Sequence, residues 1–214
     1  MDPAPASLSS RRRRATELEI AETAARLLAE NGPAGVTVEN IAAEAGVGLR
    51  TFYRYFRSKY DAIAPLLTVG AADWRETIAH SELPIVDAID EAIRAALTVQ
   101  TDRDRQRLDE VLSLLEVVAT DPDLASVWLR VNQESEAQLQ QIIAATHGSD
   151  APEPFQDRLL AAAATIAMRV AMETWSLGLN DPRDGSVAEA AGRGFRSLVG
   201  RDASPTTGSR KPLS

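Results

Sequence analysis

Apolar residues recur along the chain at helical spacing, and the breaks in that spacing fall on Pro, Gly, Asn and Asp. Ile20, Ala24, Leu27 and Leu28 share one face and predict a helix that stops at Asn31-Gly32-Pro33. Thr37 is placed to cap a short second helix, Val38 to Ala45, closed by Gly46. A third runs from Leu49 to Phe56. Ser58 caps a fourth, from Lys59 toward His80, with Pro65 in its first turns or at a kink. Pro84 opens a helix to Val99, and Arg105–Thr120 sets Leu108, Val111, Leu112, Leu115 and Val118 on one face. Asp121-Pro122 begins another helix, reaching to His147. The longest apolar stretch, Leu159 to Trp175, has 13 hydrophobic residues in 17. Arg169 and Glu173 interrupt it, so it predicts a buried helix too short and too charged to span a bilayer. Ser186–Val199 makes the last of nine helices. No run reads as a strand, and the fold class is all-α.

Composition agrees. Of the 214 residues 36 are alanine, arginine outnumbers lysine 21 to 2, and aromatics are only 5%. The absence of cysteine excludes disulfides, thiolate zinc sites and a cysteine nucleophile. The two histidines, His80 and His147, lie far apart in sequence, so no metal site and no cofactor are expected. The net charge of −8 argues against a polyanionic partner only if the charge is evenly spread. It is not. Residues 1–60 hold nine Arg/Lys and seven Asp/Glu, or +2, whereas residues 61–214 hold fourteen and twenty-four, or −10. One mildly basic end is available to meet a polyanion. Residues 1–14, Pro-, Ala- and Ser-rich before Arg11–Arg14, read as a disordered basic arm, and residues 201–214 as a disordered tail. No apolar run follows the arginines, so no secretory signal is expected and the protein is placed in the cytoplasm. The arm either adds affinity for a polyanion, in a groove or along phosphates, or serves as a solubilising tail.

The chemistry concentrates in residues 41–56, IAAEAGVGLRTFYRYF. Ala42, Gly46 and Phe52 have the spacing of a helix-turn-helix. Ala42 lets two helices cross closely, Gly46 turns the chain at positive φ, and Phe52 packs the second helix onto the first. That leaves Arg50, Thr51, Tyr53, Arg54 and Tyr55 on the opposite face of Leu49–Phe56, a surface suited to a major groove. On spacing alone, the same segment is open to a second reading, a short aromatic helix buried in a bundle.

Residues 16–62 resemble the DNA-binding domain of the TetR family of transcriptional regulators. The resemblance rests on Ala29-Glu30-Asn31-Gly32, Val36-Thr37-Val38-Glu39-Asn40-Ile41-Ala42, Ala45-Gly46-Val47 and Thr51-Phe52-Tyr53-Arg54-Tyr55-Phe56-Arg57-Ser58-Lys59. It implies three DNA-binding helices over residues 15–60 and a six-helix body over residues 61–200 that binds ligand and dimerises. Thr37 resembles a phosphate contact, and Gly48, Leu49, Arg50 and Thr51 the start of the recognition helix. Tyr53 and Tyr55 resemble phosphate and base-edge contacts, and Lys59 a phosphate anchor. Two positions depart from the family pattern. Gly48 stands where serine or alanine is usual, and Tyr60 stands where an acid is usual.

The body is similar to the family mainly in helix order. It bears a fainter similarity to actinobacterial sensors of acyl-CoA-like or polyketide-type ligands, in Leu66–Trp74 and Val127–Gln133. Trp74, Trp128 and Trp175 fall on three predicted helices, with Met168 and Met172 beside the last, so a large apolar pocket and an ordinary core both fit. Together with Leu114, Asn132 and Arg169 these residues form the candidate effector set. Arg169 either faces the pocket or makes a surface i, i+4 pair with Glu173. Small and apolar positions, Ala164, Ala171, Ala191, Phe195 and Leu198, are the candidate dimer contacts; the resemblance implies a four-helix bundle between two copies and a palindromic operator. The expected function is a ligand-responsive repressor released from DNA by a mostly apolar small molecule. The alternative is a carrier with an apolar cavity and no regulatory DNA binding. No catalytic triad, phosphate loop or activated nucleophile is visible, so the chain is not expected to be an enzyme.

Overall fold

The computed structural model describes residues 8–68, 76–146 and 154–200. All its regular elements are helical: α1 (Leu8–Gly35), α2 (Val38–Glu44), α3 (Leu49–Tyr55), a 3-10 turn (Asp61–Ile63), α4 (Ala64–Leu67), α5 (residues 76–79), α6 (Ile85–Leu97), α7 (Asp102–Val118), α8 (Pro122–Thr146), α9 (Pro154–Ser176), a second 3-10 turn (Pro182–Asp184) and α10 (Val187–Leu198). The all-α expectation holds for the described residues.

Three boundaries differ from those that periodicity predicts; the smallest difference is at α7, which begins at Asp102 and not at Arg105. The disordered arm over residues 1–14 is corrected for residues 8–14, which form the first turns of α1; residues 1–7 lie outside the described residues. Leucine and arginine are good helix formers, and Arg13 gains a stacking partner in Tyr55, so nothing stops the helix at Thr16. The helix expected from Lys59 toward His80 is corrected too. Ser58 Oγ accepts from the Asp61 amide at 3.1 Å, but it closes a turn over residues 59–60; the 3-10 turn that follows has Tyr60 as its N-cap, and α4 ends after Leu67. Pro65 sits near the N-terminus of α4, where its missing N–H costs nothing. The break at the end of α1 falls where expected, with Gly32 at φ 68° and ψ 162° inside the helical run.

Two hydrophobic clusters organise the molecule. The lower one joins Ile20, Ala24 and Leu28 of α1, Ile41 and Ala42 of α2, Phe52 of α3 and Ile63 to Leu114, Leu115 and Val118 of α7 and Leu124, Val127, Trp128 and Val131 of α8. The upper one packs Ile89, Ala92 and Ile93 of α6, Leu139 and Ile143 of α8, Ala161, Ala164, Ala167 and Ala171 of α9, and Ala191 and Phe195 of α10. Met172 touches both. The hydrophobic core therefore runs through residue 60 without interruption, and the basic end rests on the α7–α8 pair.

Candidate nucleic-acid interface

α2 begins at a capping box, with Thr37 Oγ1 accepting from the Asn40 amide and Asn40 Oδ1 accepting from the Thr37 amide, each at 3.2 Å. It ends at Gly46, φ +67°, where the Val47 amide donates to Ala42 O at 2.9 Å and the Gly46 amide to Ala43 O at 3.2 Å. This is the paired closure of a helix on a left-handed glycine. It aims α3 back across α2. Phe52, fully buried, and Phe56, with rings 5.5 Å apart, then hold α3 in the lower cluster.

The geometry separates the predicted DNA-binding residues into two groups. Gly48, Leu49, Arg50, Tyr53 and Arg54 are exposed; Arg50 and Arg54, one turn apart, and Tyr53 turn away from Phe52, while Gly48 and Leu49 stand at the start of α3 on the side of Phe52, and Tyr53 keeps 56% of its surface in solvent. Among the described residues Arg50 has no ion-pair partner, so its five N–H donors are available to guanine edges or phosphate. The rest are partly committed. Thr37 is exposed, but its hydroxyl donates to Asn40 Oδ1 at 2.8 Å within the cap. Thr51 is half-buried. Tyr55 is half-buried too, with the Arg13 and Arg54 guanidiniums 5.7 and 5.2 Å from its ring centre. Lys59 is the clearest departure from a simple phosphate anchor. Its Nζ donates to Pro33 O at 2.5 Å and Val36 O at 2.8 Å, tying the α1–α2 connection to the end of the helix-turn-helix.

Two connections escaped sequence reading. Arg26 of α1 pairs with Glu30 at 3.2 Å and with Glu44 of α2, and the Glu44 hydrogen bond pushes its pKa up. Asp61 accepts from Ser58 Oγ at 3.0 Å and pairs with Arg130 of α8, joining the end of the basic region to the body. Next to it, burial and then the Asp121 and Asp123 charges raise the Tyr60 phenol. Arg26–Glu30 is a local i, i+4 pair, but Arg26–Glu44 and Arg130–Asp61 join different elements, and no spacing rule links them.

The candidate effector residues are only partly gathered. Trp74 lies outside the described residues. Leu114 and Trp128 are buried in the lower cluster, while Met168 and Trp175 pack against the upper one. A polar link joins α8 to α9: Trp128 Nε1 donates to Glu173 Oε1 at 2.7 Å, and Arg169 Nη1 donates to both Glu173 oxygens at 2.9–3.0 Å. Of the two readings of Arg169, the i, i+4 pair with Glu173 is present, and Trp128 makes it a three-residue network. Asn132 Nδ2 is bonded to Trp128 O at 2.8 Å. A cleft of about 320 Å³ lies elsewhere, between Ile78, Ser81, Pro84, Ala88 and Thr146.

Four of the five candidate dimer residues are corrected. Ala164, Ala171, Ala191 and Phe195 are buried within the single chain, where α9 packs on α6 and α10, so they are core. Leu198 alone is exposed, at 57%. The apolar surface that α9 leaves in solvent is a different stripe, Phe155, Leu159, Ile166 and Val170, extended by Leu177 in the turn after the helix. Small residues mark close helix packing but do not say whether the neighbouring helix belongs to the same chain.

Comparison with known proteins agrees with this architecture. Residues 20–63 match the family model described as bacterial regulatory proteins, tetR family. The chain is 31% identical over 175 residues to the HTH-type transcriptional regulator TcmR of Streptomyces glaucescens, covering 79% of this chain and 77% of that one. A TetR transcriptional regulator from Rhodococcus sp. RHA1 shares the fold with a TM-score of 0.53 at 20% identity, over 87% of this chain and 96% of its own. So does Thermus thermophilus FadR, a TetR-family transcriptional repressor solved with lauroyl-CoA, with a TM-score of 0.53 at 18% identity over 92% of this chain and all of its own.

Proposed function

The chain belongs to the TetR family of bacterial regulatory proteins, and from that premise we propose that it is a cytoplasmic homodimeric repressor, released from a palindromic operator by a mostly apolar or amphipathic small molecule. DNA recognition is assigned to α3. The observation that carries it is the exposed side of Arg50, Tyr53 and Arg54, turned outward by the buried Phe52. Arg50 reads bases, Tyr53 and Arg54 meet the backbone, and Lys59 acts by fixing the position of the α1–α2 connection. No helix among the described residues is long and apolar enough to cross a membrane. The reading gives the chain a regulatory role and no catalytic one.

Release requires an effector that binds one arrangement of the body better than the other. The Trp128–Glu173–Arg169 network is the natural place for that choice. An anionic or carbonyl group that draws Arg169 away leaves Glu173, the acceptor of Trp128 Nε1, without its cation and so bears on α8, the helix that carries both Trp128 and Arg130. A shift of α8 then acts on Asp61 and so on the base of the helix-turn-helix. An acyl thioester is one chemistry that combines an apolar chain with such polar groups, and lauroyl-CoA in Thermus thermophilus FadR is an example in a protein of the same fold.

The test compares wild type with Arg50→Ala on a duplex recovered from a random pool. Loss of one bidentate base contact costs about 1–3 kcal/mol of discrimination. The expected result is a reduced preference for the recovered sequence, with binding to unrelated DNA much less affected. An unchanged preference removes Arg50, and with it this face of α3, from base reading.

A further inference from the structure

The charged face of α3 continues past Arg54 onto α1. A cleft of about 580 Å³ opens between the first turns of α1 and the last turn of α3, lined by Ser9, Arg12, Arg13, Thr16, Arg54 and Tyr55. The Arg13 and Arg54 guanidiniums both lie within 6 Å of the same Tyr55 ring, at 5.7 and 5.2 Å from its centre. No carboxylate lines the cleft, and among the described residues none of Arg12, Arg13 and Arg54 has an ion-pair partner. Elsewhere in this acidic chain many arginines are neutralised, Arg26, Arg94, Arg130, Arg169 and Arg196 among them. Three neighbouring guanidiniums without a counter-charge repel one another, and an anion between them relieves that repulsion. Their planar forks match the paired oxygens of a phosphate.

We propose that Arg12 and Arg13 of α1 and Arg54 of α3, set around Tyr55, form a clamp for the DNA backbone beside the bases read by α3. The proposal rests on α3 being the recognition helix. Position favours backbone phosphate over a small soluble anion. Arg50 and Arg54 are one helical turn apart on the same exposed face, so a duplex seated on Arg50 carries its phosphates past Arg54 into the cleft. Tyr55 then serves as a stacking floor that orients two guanidiniums, in place of reading a base edge. The clamp contributes affinity without sequence preference.

The test uses the full chain and fluorescence anisotropy over a salt series, with a duplex recovered from a random pool and an unrelated duplex. For Arg12→Ala/Arg13→Ala, the slope of log K against log salt is expected to become shallower by roughly one to two on both duplexes, near 0.9 for each phosphate released. The ratio of affinities for the two duplexes stays as in wild type. Tyr55→Leu, which keeps every charge, gives a smaller loss on both duplexes while circular dichroism reports an intact helical fold. Arg103→Ala/Arg105→Ala, an equal loss of charge on exposed α7 positions, leaves the slope unchanged. An unchanged slope in the Arg12/Arg13 variant overturns the clamp. So does an equal change in the α7 control. A shallower slope from a wild type with no sequence preference contradicts the recognition-helix reading and keeps the clamp.

Discussion

Lys59 illustrates how one side chain can serve binding through structure. Its ammonium spends two protons on Pro33 O and Val36 O, so the residue fastens the exit of α1 and the entry of α2 to the segment after α3. Hydrogen bonds to charged groups contribute about 1.5–3 kcal/mol, and two half-buried carbonyls lose their partner when the ammonium goes. Lys59→Ala is therefore expected to lower unfolding free energy by about 2 kcal/mol in a urea titration and to weaken DNA binding as well. A simple phosphate anchor predicts weaker binding with stability unchanged within about 0.5 kcal/mol, the usual range for surface substitutions. The importance of Lys59 is visible in its motif, but its partners are not, because they are backbone carbonyls 23 and 26 positions earlier. Tyr55 is equally visible as an aromatic of the recognition segment. Its contact with Arg13 is hidden, since it depends on α1 beginning before the arginines.

At the scale of elements, local signals locate helix starts and stops well. Thr37, Thr101 and Ser186 each open a helix through a capping box, and Gly46 closes α2. These devices act within a few residues, so Thr37 and Ser186 are legible at their helix starts, whereas periodicity places the start of α7 at Arg105, three residues past the Thr101 cap's first helical residue. The separate 3-10 turn before α4 and the end of α4 after Leu67 are not legible, because Pro65 is compatible with a helix start or a kink. The caps have a consequence in acid. The Glu189 carboxylate accepts from the Ser186 amide at 2.8 Å, and this bond holds its pKa below the usual range. A depressed carboxylate stabilises the fold fully above its unfolded pKa of about 4 and loses that contribution as pH falls through the lower folded value. Glu189→Gln should therefore melt below wild type at neutral pH, and the gap should close as pH falls below about 4. A gap that persists into acid would show that Glu189 stabilises α10 without its charge. Asp104, held down first by the Thr101 hydroxyl, follows the same logic at the start of α7.

For the whole molecule, the uneven charge and the continuous core have to be read together. The −10 of residues 61–214 belongs to a body that repels DNA, and the +2 of residues 1–60 to the part that meets it. The lower cluster, running from α1 through α3 to α7 and α8, makes that part a mechanical extension of the body. This suits a regulator in which Asp61 and Arg130 bridge the two. Periodicity identifies α9 and α10 as small-residue helices, yet it cannot separate core from interface. The exposed stripe of Phe155, Leu159, Ile166, Val170 and Leu177 supplies the apolar surface a second copy would cover. In the proposed dimer, a two-fold axis would pair two α3 helices, and such a dimer would read inverted half-sites. The most direct measurement is selection from a random duplex pool by the full chain, with sequencing of the bound fraction. A two-fold dimer that reads DNA through α3 enriches an inverted repeat whose half-site centres lie about one helical turn, 10–10.5 base pairs, or a multiple of it apart. A bound fraction with no enriched sequence would contradict that reading.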